Sequence, residues 1–180
     1  MTVKTLVHCH AHPHPPLRTT ICLTRFGFHG DVLIPPAPQV IILIAPHFDE
    51  ESVVGCLSDL RQQGISVSLM GVTSGLIVSE RGLTLRPDTS LLVGDRLVSA
   101  QRQTLIISGG VACATAVLSD PRSHQLVQKI LQTGGFVAVL SWIDVLMVDL
   151  IRAEWLSRFM WQDGMETAVF VQRLITHIAA

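Results

Sequence analysis

Apolar and polar positions alternate in blocks along this chain, and the blocks change period in a regular way. From Val40 to Ala45 the run VIILIA is unbroken and rich in β-branched residues, which predicts a strand covered on both faces. The next stretch, PHFDEESVVGCLSDLRQQG, changes to a helical period. Val53, Leu57 and Leu60 share one face, Asp49, Glu50 and Glu51 suit the positive end of a helix, and Gly64 suits its C′ position. ISVSLMGV predicts a second strand. GLIVSERGLTLRP predicts two short strands around a turn at Glu80–Gly82.

The alternation then repeats. TLIISGG, Thr104 to Gly110, predicts a strand that ends in two glycines. After a loop, Pro121 opens a helix to about Thr133, with Leu126, Val127, Ile130 and Leu131 facing inward. FVAVLS is a third buried strand. One helix is expected over about Ile143–Phe159 and a last one over about Glu166–Ile178. Strand and helix in this order predict an α/β sandwich, its sheet mainly parallel with helices on both faces.

The first 39 residues follow neither period. HCHAHPHPPL and LIPPAPQ are rich in His and Pro. RTTICLTRFGFHGDVL between them allows a short strand or hairpin. Residues 1–39 are therefore read as an extension and 40–180 as the folded domain. His8, His10 and His12 are candidate metal ligands with Cys9 and His14, but structural zinc sites usually draw ligands from two separated segments, and the prolines favour an open chain. Weak, adventitious binding is the expectation, and no cofactor is expected.

Composition narrows the classes. The 180 residues carry a net charge of −1, with 15% charged side chains. Their mean hydropathy of +0.46 is high for a soluble chain. No basic surplus points to nucleic acid. Phe136–Ile151 is apolar, but it is shorter than the ~20 residues of a span and contains Asp144 and Asp149, each costing about 2.5–3.5 kcal/mol at mid-bilayer. Neither a membrane span nor a secretory leader is expected. Cys9, Cys22, Cys56 and Cys113 show no paired spacing, so reduced thiols and a cytoplasmic location are expected.

The succession VIILIAPHFDEESVVGCLSDLRQQGISVSLMGV, SERGLTLRPDTSL, TLIISGG and GGFVAVLS resembles the ThiJ/PfpI family over about Val40–Leu140. ETAVFVQRLITHI resembles that family's closing helix. The resemblance implies a flavodoxin-like fold of the class I glutamine-amidotransferase type. It also implies an acidic residue in the first helix, a glycine pair after the strand TLII, and a cysteine at the corner after FVAVL. Such a corner lowers a thiol's pKa and aims backbone N–H groups at an oxyanion. Activities attributed to the family include peptide hydrolysis, glyoxal chemistry, protein repair, chaperoning and oxidation sensing.

The chain departs from that pattern where chemistry would sit. The corner cysteine aligns with Ser141, followed by the bulky Trp142 and Ile143, and the acidic partner aligns with Ser52. No His lies between His124 and His177. A serine nucleophile needs a general base, so Ser141 is read as a helix cap and kept as a degenerate catalytic candidate. Gly109 and Gly110, Arg81, Cys113 and Glu50 are the candidate ligand-binding residues. Each also has a plain alternative: a turn for the glycines, a solvated loop for Arg81, a buried thiol for Cys113, a helix-dipole partner for Glu50. Trp142–Gln162 leaves room for one helix and a loop, so the fold is expected to be shortened at its C-terminal side. Trp155, Phe159, Met160 and Trp161 make the Trp142–Trp161 segment the expected contact surface for a second copy or another protein. The expected function is binding of protein or small ligand without catalysis. The alternatives are a residual cysteine or serine hydrolase or glyoxalase-like enzyme, and a metabolite-sensing domain related to those of transcription regulators.

Overall fold

The computed structural model describes residues 39–93, 98, 102–140 and 153–179. Strand β1 (Val40–Ile44) is buried at every position, as its unbroken apolar run requires. It pairs in parallel with β2 (Val67–Gly71) on one side and β6 (Thr104–Ile107) on the other. A short strand β5 (Thr89–Ser90) extends the sheet beyond β2. Strands β7 (Phe136–Val139) and β8 (Phe159–Trp161) extend it beyond β6. The order is β5-β2-β1-β6-β7-β8, and every pair is parallel. Strands β3 (Ile77–Val78) and β4 (Thr84–Leu85) form a separate antiparallel hairpin around the expected turn.

Helix α1 (Glu50–Gln62) follows β1. Asp49 caps it by accepting from the Ser52 amide at 3.3 Å. Its other end closes as expected: Gly64 takes φ 74°, its N–H donates to Arg61, and Ile65 N–H donates to Leu60. That pair of bonds satisfies two of the carbonyls that a helix end leaves open. Helix α3 (Pro121–Gln132) has Asp120 as its N-cap and buries the four apolar residues named from its pattern. It ends with the same device, Gly134 donating to Leu131 and Gly135 to Ile130. The last helix, α4 (Thr167–Ala179), packs on α1. Among the described residues no helix is long and apolar enough to cross a membrane.

Besides the short β5, three elements differ from expectation. Val111–Ser119 is not loop but helix α2. Its sequence VACATAVLS has almost no polar positions, so it carries no amphipathic period to read. The described part of the expected Ile143–Phe159 helix is a 3-10 turn, Ala153–Arg158, followed by strand β8. The Phe159 side chain, expected at a contact surface, is only 8% exposed and belongs to the core. Thus the C-terminal part does supply a further strand. At three residues it is too short for alternation to reveal it.

Candidate functional site

The strand order turns over at β1 and β6, one side continuing to β2 and the other to β7. In open α/β sheets, the two chain connections leaving such a point diverge and leave a crevice at the carboxyl ends of the strands. A cleft of about 810 Å³ lies there. The loop after β1 contributes His47 and Asp49, α1 contributes Ser52, and the hairpin contributes Glu80. Gly110, Val111 and Ala112 enter from the start of α2, Leu140 from the end of β7, and Gln162, Gly164 and Met165 from the loop before α4.

Backbone geometry explains the glycine pair. A Cβ on Gly109 would stand 2.4 Å from the Leu140 carbonyl oxygen, and one on Gly110 would stand 2.7 Å from the His47 carbonyl oxygen. Gly110 also has φ 95°. The two glycines let the loops after β1, β6 and β7 meet. The contact is fixed by the Asp49 N–H donating to the Gly109 carbonyl at 3.0 Å. Both the turn and the close approach demand glycine. Gly110 brings no side-chain cap to α2, so the first amides of that helix face the cleft region without one. Such amides are hydrogen-bond donors for an anionic or carbonyl oxygen.

Asp49 accepts from both the amide and the hydroxyl of Ser52. Ser52 is nearly buried, and its Oγ lies 3.4 Å from Thr167 Oγ1. The position aligned with the family's acidic residue is therefore a hydroxyl tied to the neighbouring carboxylate. His47 has φ 62°, a left-handed backbone that is sparsely populated outside glycine and tends to occur at functional loops. Its N–H donates to Val78 O at 2.8 Å, which joins the loop to the hairpin. Gln162 Nε2 donates to Met165 O at 2.8 Å and to Thr167 Oγ1 at 3.2 Å, holding the loop before α4 in shape.

Of the residues singled out from sequence, Gly110 lines the cleft, and Gly109 before it packs against Leu140 and Asp49, which line it too. Cys113 is close in sequence but turns inward. It is fully buried, its Sγ accepts from the Ala45 N–H at 3.2 Å, and Ser108 Oγ is 3.0 Å away. Burial pushes the Cys113 thiol above its ordinary pKa, with the contacts from Ser108 and Ala45 opposing part of that rise. A nucleophilic thiolate needs the reverse shift. Glu50 and Arg81 come together, but at the hairpin turn. Glu50 accepts from the Ser79 hydroxyl and from the Arg81 N–H at 3.3 Å. The Arg81 guanidinium lies 3.8 Å from Glu51, with both groups in solvent. The pair latches the hairpin to α1 rather than lining the cleft. Ser141 and the His8, His10 and His12 cluster lie outside the described residues.

Among the cleft residues not singled out from sequence are His47, Glu80, Gln162 and Met165. A signal existed for His47, because the loop after the first strand of a doubly wound sheet regularly borders the crevice.

An open parallel sheet with helices on both faces and a crevice at its reversal point defines a flavodoxin-like α/β protein. Comparison with known proteins places it more finely. The chain belongs to the DJ-1/PfpI family, whose model matches residues 38–148. Solved structures with the same fold include DJ-1beta of Drosophila melanogaster, at 16% identity and TM-score 0.66, covering 79% of this chain and 91% of that one. A DJ-1 superfamily protein from Salmonella typhimurium, solved as a cysteine-to-alanine variant, has 16% identity and TM-score 0.65, covering 79% and 90%. Oxidized DJ-1 of Toxoplasma gondii has 15% identity and TM-score 0.62, covering 79% and 91%. At these identities the likeness speaks for the fold alone. No curated protein matches the sequence.

Proposed function

We propose that this domain acts by contact, holding a small polar molecule in the cleft and pairing with a second copy of itself. The observation that carries the reading is the make-up of the cleft. The carboxylates of Asp49 and Glu80 border it from one side and the uncapped start of α2 from another, while the Cys113 thiol is turned away. A ligand with an amine or hydroxyl donor for the carboxylates and an oxygen acceptor for the α2 amides fits both walls. The test is a thermal-shift screen of amino acids, hydroxy acids and sugars. A compound that raises the midpoint, with the rise lost in Glu80→Gln, agrees with the proposal. No shift from any of them counts against it.

The surface offered to a second copy is the hairpin side of the domain. Val78 and Leu83 are 47% and 41% exposed, and Leu76 is 69% exposed. Glu50 touches this hairpin, and Val54, four residues along α1 and so on the same helix face, is exposed too. The Trp142–Trp161 segment is less suited, because its last three residues, Phe159–Trp161, are a strand of the sheet, and Trp155 and Trp161 are half-buried. Sedimentation of the wild type beside Leu83→Glu tests this. A dimer that the substitution dissociates is expected, and a monomeric wild type at micromolar concentration contradicts it.

One observation favours a second reading. The His47 imidazole lines the cleft that Leu140 also lines, one residue before Ser141. That supports a residual hydrolase or glyoxalase-like enzyme in which His47 is the base for a Ser141 nucleophile. Turnover lost in both His47→Ala and Ser141→Ala would favour it.

A further inference from the structure

A second concave surface lies away from the cleft, where β6 and β7 begin. A cavity of about 390 Å³ is bordered there by Arg102, Arg158, Ser157, Phe136 and His177. An adjoining cavity of about 400 Å³ shares Phe136, Ser157 and His177 and runs along β8 past Trp161 to Arg173. The shared residues make the two one groove. Three guanidinium groups and an imidazole face it, against one carboxylate, Asp163.

The contacts that hold two of these cations are to backbone carbonyls. Arg158 Nη1 donates to Leu131 O at 2.7 Å, and Arg102 Nε donates to Gly134 O at 3.2 Å. The Arg158 bond takes up one of the last carbonyls of α3, and the Arg102 bond holds the turn just past that end. Each also occupies one of five guanidinium N–H donors. What remains is two anchored forks that converge from separate parts of the chain on one cavity. Anchoring lowers the entropy lost when a ligand is bound, and a guanidinium fork matches a phosphate's oxygens in pairs. The groove also has flat surfaces. The His177 ring is exposed and lies 4.0 Å, centroid to centroid, from the Phe136 ring. Trp161 is half-buried and stacks on Phe159 at 5.8 Å.

We propose that this groove binds an organic phosphate, with the phosphate on Arg102 and Arg158 and a planar organic part against His177 and Trp161. The arginine end of the groove lies away from the cleft; its other end reaches the loop before α4, where Met165 borders both.

Calorimetric titration of the full chain with adenosine monophosphate, adenosine and inorganic phosphate tests it. The monophosphate is expected to bind most tightly. Arg102→Met with Arg158→Met together should weaken it by about tenfold or more, the loss of at least one charge-assisted contact. Because those two arginines also cap α3, Arg173→Met, whose side chain has no hydrogen bond or ion pair among the described residues, serves as a variant that leaves the cap alone. It should weaken binding by about threefold with an unchanged melting temperature. Absence of monophosphate binding, adenosine or inorganic phosphate bound as tightly as the monophosphate, or affinity indifferent to all three arginines would each overturn the proposal.

Discussion

The two ends of the sheet are closed by the same backbone device and furnished with opposite chemistry. At the carboxyl end, Gly109 lets the chain after β6 pass the Leu140 carbonyl. At the amino end, Gly135 lets the chain before β7 pass the Gln103 carbonyl. In both cases a Cβ would stand 2.4 Å from that oxygen. The spacing of parallel strands imposes these approaches, whatever the loops go on to do. Charge does not follow the same rule. Asp49 and Glu80 border one end, and Arg102 and Arg158 the other. The difference teaches that sheet geometry accounts for the glycines, while function has to be sought in the loop side chains.

The sharpest way to break this comparison is to add the missing methyl at both ends. Gly109→Ala and Gly135→Ala should each destabilise the domain by about 3 kcal/mol, because rigid backbone cannot yield to the new Cβ. Urea unfolding measures both. A neutral Gly109→Ala beside a costly Gly135→Ala would mean that the cleft end is loosely packed.

A pH series separates the core from both ends. Burial, with a smaller contribution from Asp59, pushes the Cys56 thiol from its ordinary value of 9.0 up to about 12. The folded state therefore keeps this proton where the unfolded chain releases it. Stability should be unaffected by Cys56 below pH 9 and should fall as pH rises toward 12. Cys56→Ala should flatten that alkaline limb in guanidinium melts. A limb of unchanged steepness would assign the loss to other groups.

Smaller effects are expected from the caps of α3, which runs from one end of the sheet to the other. Asp120→Ala should cost about 1 kcal/mol at neutral pH. The Arg122 side chain holds the Asp120 carboxyl below its ordinary range. That contribution is present above the ordinary carboxyl pKa and disappears as pH falls through the depressed one. Arg158→Met, at the opposite terminus, should cost about 0.5–1 kcal/mol, since its bond to Leu131 lies near solvent. Thermal melts at pH 7 and pH 3 should show the Asp120 effect shrinking in acid and the Arg158 effect persisting wherever the protein remains folded.

Much of the fold was legible because long periodic segments carry their own burial. VIILIA reads as a central strand, α1 announces both ends through Asp49 and Gly64, and α3 announces its start through Pro121. Helix α2 was not legible, since a helix apolar on most sides has no face to distinguish. Strands β5 and β8 were not legible, because two or three residues hold no alternation and their pairing is decided by the tertiary fold. At the glycine pair local sequence could not separate a turn from a close approach, and the structure has both. For Cys113 the sequence left a ligand-binding residue and a buried thiol both open, because proximity along the chain says nothing about which way a helical side chain turns; it turns inward. His47 and Glu80 were missed because each lies in a loop whose importance comes from the order of strands.

The central claim is that the carboxyl-end cleft holds its ligand without attacking it. Its most direct test exposes the native protein to serine- and thiol-directed electrophiles across pH and locates any adduct by mass spectrometry. We expect no residue to be labelled beyond the level of a denatured control. Stoichiometric, pH-dependent modification of Ser141 or Cys113 would contradict the claim.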